Sequence, residues 1–174
     1  MTLLSFNVRS LLDHKRRAAL ANCLLPLDYD ILCLTETWLT ENVSNFSIFL
    51  NNFEIYRRDR TPTQSTGSTK HGGVLIAIRK NINHEIVSLD VEAQDYIVMK
   101  ISSHDSVLLC CLYNPPATSA YHWTKANIST LLLELKQKEI LLNCSTTIIT
   151  GDLNMKSTNW ETMSSRDKRR LTAH

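Results

Sequence analysis

LLSFNVRSLLDHKRRAALANCLLPLDYDILCLT, residues 3–35, decides the fold class. Residues 3–8 (LLSFNV) form an apolar run of strand length. Residues 14–25 (HKRRAALANCLL) follow at helical spacing, with Ala18, Ala19, Cys23 and Leu24 on one face and Asp13 as N-cap. Arg9, Arg16 and Arg17 then fall on the wet side of the helix start. Pro26 stops the helix, and residues 30–35 (DILCLT) read as a second strand. Strand, helix, strand in this order predicts an α/β layer.

Working outward, the pattern changes at residue 53. FEIYRR (53–58), GGVLIAIR (72–79), HEIVSL (84–89), DYIVMKIS (95–102) and SVLLCCLY (106–113) are short β-rich segments divided by turn residues. Consecutive, mostly antiparallel strands are expected. Residues 59–71 are a polar Ser/Thr-rich loop, and Ser103-His104-Asp105 reads as a hairpin turn. Residues 119–141 read as one long helix with Ile128, Leu131, Leu132 and Leu135 on one face. Residues 146–150 are a further strand, ending at Gly151-Asp152-Leu153-Asn154. The strands carry continuous apolar runs, so both faces should be covered. One domain over 1–160 and a basic irregular tail over 161–174 are expected.

Composition agrees with a single folded body. The chain has 174 residues, 43% hydrophobic and 21% charged, with a net charge of +2. This excludes a disordered chain, an acidic tail and a polybasic membrane anchor. Five cysteines without a C-x-x-C pair point to a reduced intracellular protein, nuclear or cytoplasmic, with no zinc site. No apolar run approaches a membrane span, and residues 1–9 do not form a secretory signal.

Polar residues interrupt the ends of four apolar strands: Asn7, Glu36, Tyr113-Asn114, and Asp152 with Asn154. Functional groups concentrate at such strand ends in α/β folds. Carboxylates and amides there suit Mg²⁺, which takes one or two carboxylates, several waters and a substrate phosphate. The competing structural reading is that Glu36 caps a turn and Asp152 opens an Asx turn. Similarly, Trp38 and Trp160 would wall the site loops by packing, and Trp123 would pack in the core.

The blocks Phe6-Asn7-Val8-Arg9-Ser10-Leu11, Leu34-Thr35-Glu36-Thr37-Trp38-Leu39, Gly72-Gly73-Val74, Tyr113-Asn114-Pro115-Pro116 and Gly151-Asp152-Leu153-Asn154 resemble the endonuclease/exonuclease/phosphatase superfamily. Within it they are most similar to the apurinic-endonuclease-like domain of non-LTR (LINE-type) retrotransposons. The resemblance implies a four-layer α/β sandwich without its last strands. It also implies Mg²⁺ or Mn²⁺ as cofactor and hydrolysis of a DNA phosphodiester. By position, Glu36 with Asn7 would hold the metal. Tyr113 would place the phosphate or attacking group, Asp152 would orient the attacking water, and Asn154 would hold a phosphate oxygen.

One departure stands out: the family's closing S-D-H motif does not occur among the 20 residues after Asn154. The expectation is a truncated nuclease, inactive alone, with a non-catalytic nucleic-acid- or protein-binding remnant as the alternative. A third reading, hydrolysis of another phosphoester, fits the T-E-T-W-L and Y-N-P-P blocks less well. For DNA contact the sequence offers Arg58, Arg60, Lys70 and Arg79, a basic group around the polar loop, against the plainer reading of a solvated surface.

Overall fold

The structure, a computed structural model, describes residues 1–60, 71–91, 95–102, 104–119 and 122–154. The apolar runs become β1 (Leu3–Asn7), β2 (Ile31–Thr35), β3 (Phe53–Arg58), β4 (Val74–Arg79), β5 (His84–Ile86), β6 (Tyr96–Ile101), β7 (Val107–Tyr113) and β8 (Thr146–Asp152). Helix α1 (His14–Leu24) joins β1 to β2, and α2 (Lys125–Leu141) joins β7 to β8. A 3₁₀ turn covers Asn45–Ile48. Trp160 and the tail from residue 161 lie outside the described residues.

The strands form two four-stranded sheets, ordered β1-β2-β4-β3 and β5-β6-β7-β8. The pairs β1–β2 and β7–β8 are parallel, and every other pairing is antiparallel. Period-two side-chain alternation divides each central strand between two cores. Ile31 and Cys33 of β2 meet Met99, Leu109 and Cys111 between the sheets. Leu32 and Leu34 point the other way, to Leu11, Leu24 and Ile48 beneath α1 and the 3₁₀ turn. On the outer side of the second sheet, Val98, Leu108 and Cys110 pack with Leu131, Leu135 and Trp123. The order is therefore helix, sheet, sheet, helix: a four-layer sandwich. Each fully buried Ile or Leu contributes about 1.5–3 kcal/mol, which makes the central strands the stable frame.

The helices depart from the sequence reading in detail. Asp13 caps α1, accepting from the Arg16 amide at 3.0 Å. The buried face of α1, however, is Arg17, Ala21 and Leu24, while Ala19 and Cys23 are exposed. Arg17 is 7% exposed. Its guanidinium donates to the carbonyls of Leu11 and Leu12 at 2.7 Å and of Ser47 at 2.9 Å. A five-donor fork can satisfy several loop carbonyls at once, which apolar periodicity does not register.

α2 starts at Lys125 rather than residue 119. Thr124 and Asn127 form a reciprocal capping box, and the Trp123 amide is already bonded to the Asn114 side chain at 2.9 Å. Leu132 is 41% exposed instead of sharing the buried stripe of Leu131 and Leu135. Among the described residues no helix is long and apolar enough to cross a membrane.

Candidate functional site

The two parallel pairs run the same way, and their C-terminal ends meet. β1 ends at Asn7 opposite Thr35, next to Glu36; β7 ends at Tyr113 opposite Asp152. The four polar strand ends Asn7, Glu36, Tyr113 and Asp152 thus fall on one end of the sandwich.

Asn7 joins the two sheets there. Its Nδ2 donates to Glu36 Oε1 at 2.7 Å and to Asp152 Oδ2 at 3.2 Å, residues 29 and 145 positions away. Its Oδ1 accepts from the Arg9 amide at 3.1 Å, which fixes the flip of the amide. Two carboxylates held by one nitrogen lie close enough to share a ligand. Glu36 adopts φ 54, Trp38 φ 55 and Asn154 φ 45, all left-handed. Non-glycine residues seldom take this conformation, and where they do the surroundings must impose it. For the Glu36 loop the clamp is visible: the Thr37 amide donates to Gly73 O at 3.3 Å and the Trp38 amide to Gly72 O at 2.9 Å.

Tyr113 sits 4% exposed beside the carboxylates. Burial pushes its phenol well up, the neighbouring Glu36 carboxylate pushes it further, and Arg60 partly offsets both. The hydroxyl therefore stays protonated, a neutral hydrogen-bond donor at any working pH. Asn114 next to it is 1% exposed and ties the loop after β8 in place. Its Nδ2 donates to Leu153 O at 2.9 Å, and its own carbonyl accepts from Asn154 Nδ2 at 2.9 Å. One of the two Asn154 amide hydrogens is thus used structurally. The Asn154 backbone amide donates to Asp152 Oδ1 at 3.2 Å, so Asp152 does open an Asx-type turn while also facing Asn7.

Among the described residues no three His, Cys, Asp or Glu side chains cluster to hold a metal ion. The donor set is instead two carboxylates and an amide oxygen-bearing side chain. That set fits a hard cation that keeps most of its waters, such as Mg²⁺, and does not fit zinc.

The basic residues separate. Arg60 is not a free surface cation: it is 8% exposed, and its Nε donates to Asp95 Oδ2 at 3.0 Å, with a second, charge-assisted bond from Nη2. Arg79 lies at the far end of β4, bonded to Tyr29 O at 2.7 Å and Asp28 Oδ1 at 3.0 Å. Five strand steps separate it from Val74, about 17 Å along β4. Arg58 is exposed, its guanidinium 4.5 Å above the Tyr96 ring at the rim of a groove of about 490 Å³. Lys70 lies outside the described residues. Proximity in sequence groups Arg58 with Arg79, and strand direction places them at opposite ends of β4.

His71 packs edge-on against Trp38, ring centroids 4.2 Å apart, and His122 Nδ1 bonds Pro115 O at 2.7 Å. Trp123 is buried against Tyr96, as a core residue should be. Asp95 was not legible as a site residue. Its only sequence signal is a carboxylate opening an otherwise apolar strand.

The model of the Endonuclease/Exonuclease/phosphatase family matches residues 4–173. A search of curated proteins finds no match. Among solved structures, the human Nocturnin catalytic domain with bound sulfate superposes with a TM-score of 0.67 at 15% identity, over 90% of this chain and 64% of that one. The AP endonuclease LMAP from Leishmania major gives 0.66 at 14% identity, over 87% and 54%. The endonuclease domain of TRAS1, a telomere-specific non-LTR retrotransposon, gives 0.52 at 16% identity, over 96% and 66%. At these identities the likeness is one of fold, and the chain spans about two thirds or less of each relative.

Proposed function

The chain belongs to the Endonuclease/Exonuclease/phosphatase family, and from that membership we propose that its strand-end cluster is the metal-holding, water-orienting half of a site for DNA phosphodiester hydrolysis. The observation that carries the reading is the Asn7 amide, which holds Glu36 and Asp152 together from opposite sheets. Neither an ordinary turn cap nor an Asx turn calls for that bridge. The T-E-T-W-L and Y-N-P-P blocks, and the TRAS1 domain among the structural relatives, support an endonuclease of the non-LTR retrotransposon type.

Glu36 and Asn7 would hold the cation. Bound there, Mg²⁺ supplies Lewis acidity toward the non-bridging phosphate oxygens. Asp152, fixed by Asn7 and the Asn154 amide, accepts a hydrogen bond from the attacking water and aims its lone pair. Tyr113, kept neutral, donates to a phosphate oxygen, and the remaining Asn154 amide hydrogen does the same. Of the basic residues offered for DNA contact, Arg58 is described and exposed, and it would meet the DNA backbone.

A second reading, a binding module without catalysis, is favoured by one observation: no S-D-H motif occurs in this sequence. A positioned acid–base group contributes roughly 10²–10⁴-fold in rate. Calorimetric Mg²⁺ titration and plasmid nicking test both readings. Wild type should bind Mg²⁺, Glu36→Gln should not, and supercoiled plasmid should be retained without measurable nicking. Equal Mg²⁺ binding by both proteins would remove the metal site. Nicking that disappears in Glu36→Gln would instead show a complete enzyme.

A further inference from the structure

The buried pair Arg60–Asp95 stands directly behind the site, and the mechanism above does not use it. The side chains are 5% and 2% exposed. Removing two charges from water is costly, and a buried pair is seldom a gain in stability over apolar residues of the same volume. What the pair touches suggests why it is there.

Asp95 precedes β6, in the second sheet, yet its Oδ1 accepts from the Gly73 amide at 2.8 Å, in the first. Its backbone carbonyl accepts from the Tyr113 amide at 2.8 Å. One aspartate therefore grips both the glycine pair and the tyrosine strand. Gly72 and Gly73 in turn hold the Trp38 and Thr37 amides, the two residues after Glu36. Arg60 completes the block: its guanidinium lies 5.7 Å from the Tyr113 ring centroid. A Cβ on Gly72 would fall 2.3 Å from Arg60 Cζ, so the arginine occupies the room that the glycine leaves. Gly72 also adopts φ +109, which other residues rarely take.

We propose that Arg60 and Asp95 are positioning residues: their ion pair, seated on Gly72–Gly73, sets the left-handed Glu36 loop against Tyr113 and thereby the spacing of the metal-holding carboxylate and the phenol. Its catalytic meaning rests on the phosphodiesterase reading; the geometry does not. The pair is internally neutral, so deleting both charges leaves the local net charge unchanged.

The test compares wild type with Arg60→Met/Asp95→Leu, Arg60→Lys and Asp95→Asn. Mg²⁺ alone is titrated by calorimetry, and fluorotyrosine at position 113 is followed by ¹⁹F NMR without metal. The double variant should weaken Mg²⁺ binding at least tenfold and shift and broaden the Tyr113 resonance while still melting cooperatively. Arg60→Lys, which restores the charge without the fork, should recover part of both. If the double variant does not fold, Asp95→Asn decides, because it keeps the shape and loses the ion pair. Binding within twofold of wild type together with an unmoved resonance overturns the proposal. If wild type binds no Mg²⁺, the phosphodiesterase reading falls, and the metal-free Tyr113 resonance still accepts or rejects the positioning role.

Discussion

The protein contains two strand–helix–strand units of the same plan, β1-α1-β2 and β7-α2-β8, and they differ where it matters. Each pairs two parallel strands and delivers two polar residues to the same end: Asn7 and Glu36 from one, Tyr113 and Asp152 from the other. Away from that end they diverge. α1 has 11 residues and buries an arginine satisfied by loop carbonyls. α2 has 17 residues and buries Glu139, which bonds Lys136 at 2.6 Å and also Thr147. α2 further exposes Leu133, Ile140 and Leu141. The strand ends are thus constrained by the site, while each helix solves its own docking problem with a different buried charge.

The comparison can be broken most severely at Arg17. Arg17→Met leaves two carbonyls of the first unit and that of Ser47 in the 3₁₀ turn without their donor, and should cost about 3 kcal/mol in urea unfolding. A loss within 0.5 kcal/mol would mean that α1 docks by apolar contact alone. Asn7→Ala cuts the link between the units instead. Because Asn7 orients both carboxylates, Mg²⁺ affinity should fall roughly 10–100-fold by calorimetry with little change in melting.

The helix caps sharpen the contrast at smaller scale. Thr124→Ala should destabilise the second unit by about 1 kcal/mol, read in urea. Asp13→Ala should cost less, and its effect should depend on pH. The Arg16 amide bonded to Asp13 holds that carboxyl below its ordinary value, so folding favours the ionised form. The contribution is complete above the usual carboxyl range and disappears as pH falls through the lowered folded value. Melting curves of wild type and Asp13→Ala should therefore converge in acid.

Most of the framework was legible in the sequence because it depends on short-range rules. All eight strands follow apolar runs closed by turn residues, and Asp13 is a recognisable cap. The site was legible in part, since Asn7, Glu36, Tyr113 and Asp152 each interrupt an apolar strand end. Arg17 and Arg60 were misread for one shared reason. A buried arginine is identified by the carbonyls and carboxylates that surround it, and those come from distant positions: Ser47 for one, Asp95 for the other. Strand direction likewise moved Arg79 away from Arg58. No local pattern reports on a partner 35 residues away.

The seam between the sheets holds one more consequence. Cys33 and Cys111 meet inside it, with Cys110 in the adjoining layer, and all three are sealed from solvent. A thiol hydrogen bond with Cys111 and burial lift the Cys33 thiol, and burial lifts that of Cys110, so neither is a nucleophile in the native fold. Iodoacetamide should accordingly label Cys23 within minutes and leave this trio untouched until the layers part. Their alkylation would then serve as a stopwatch for opening of the sandwich, built into the chain without any added probe.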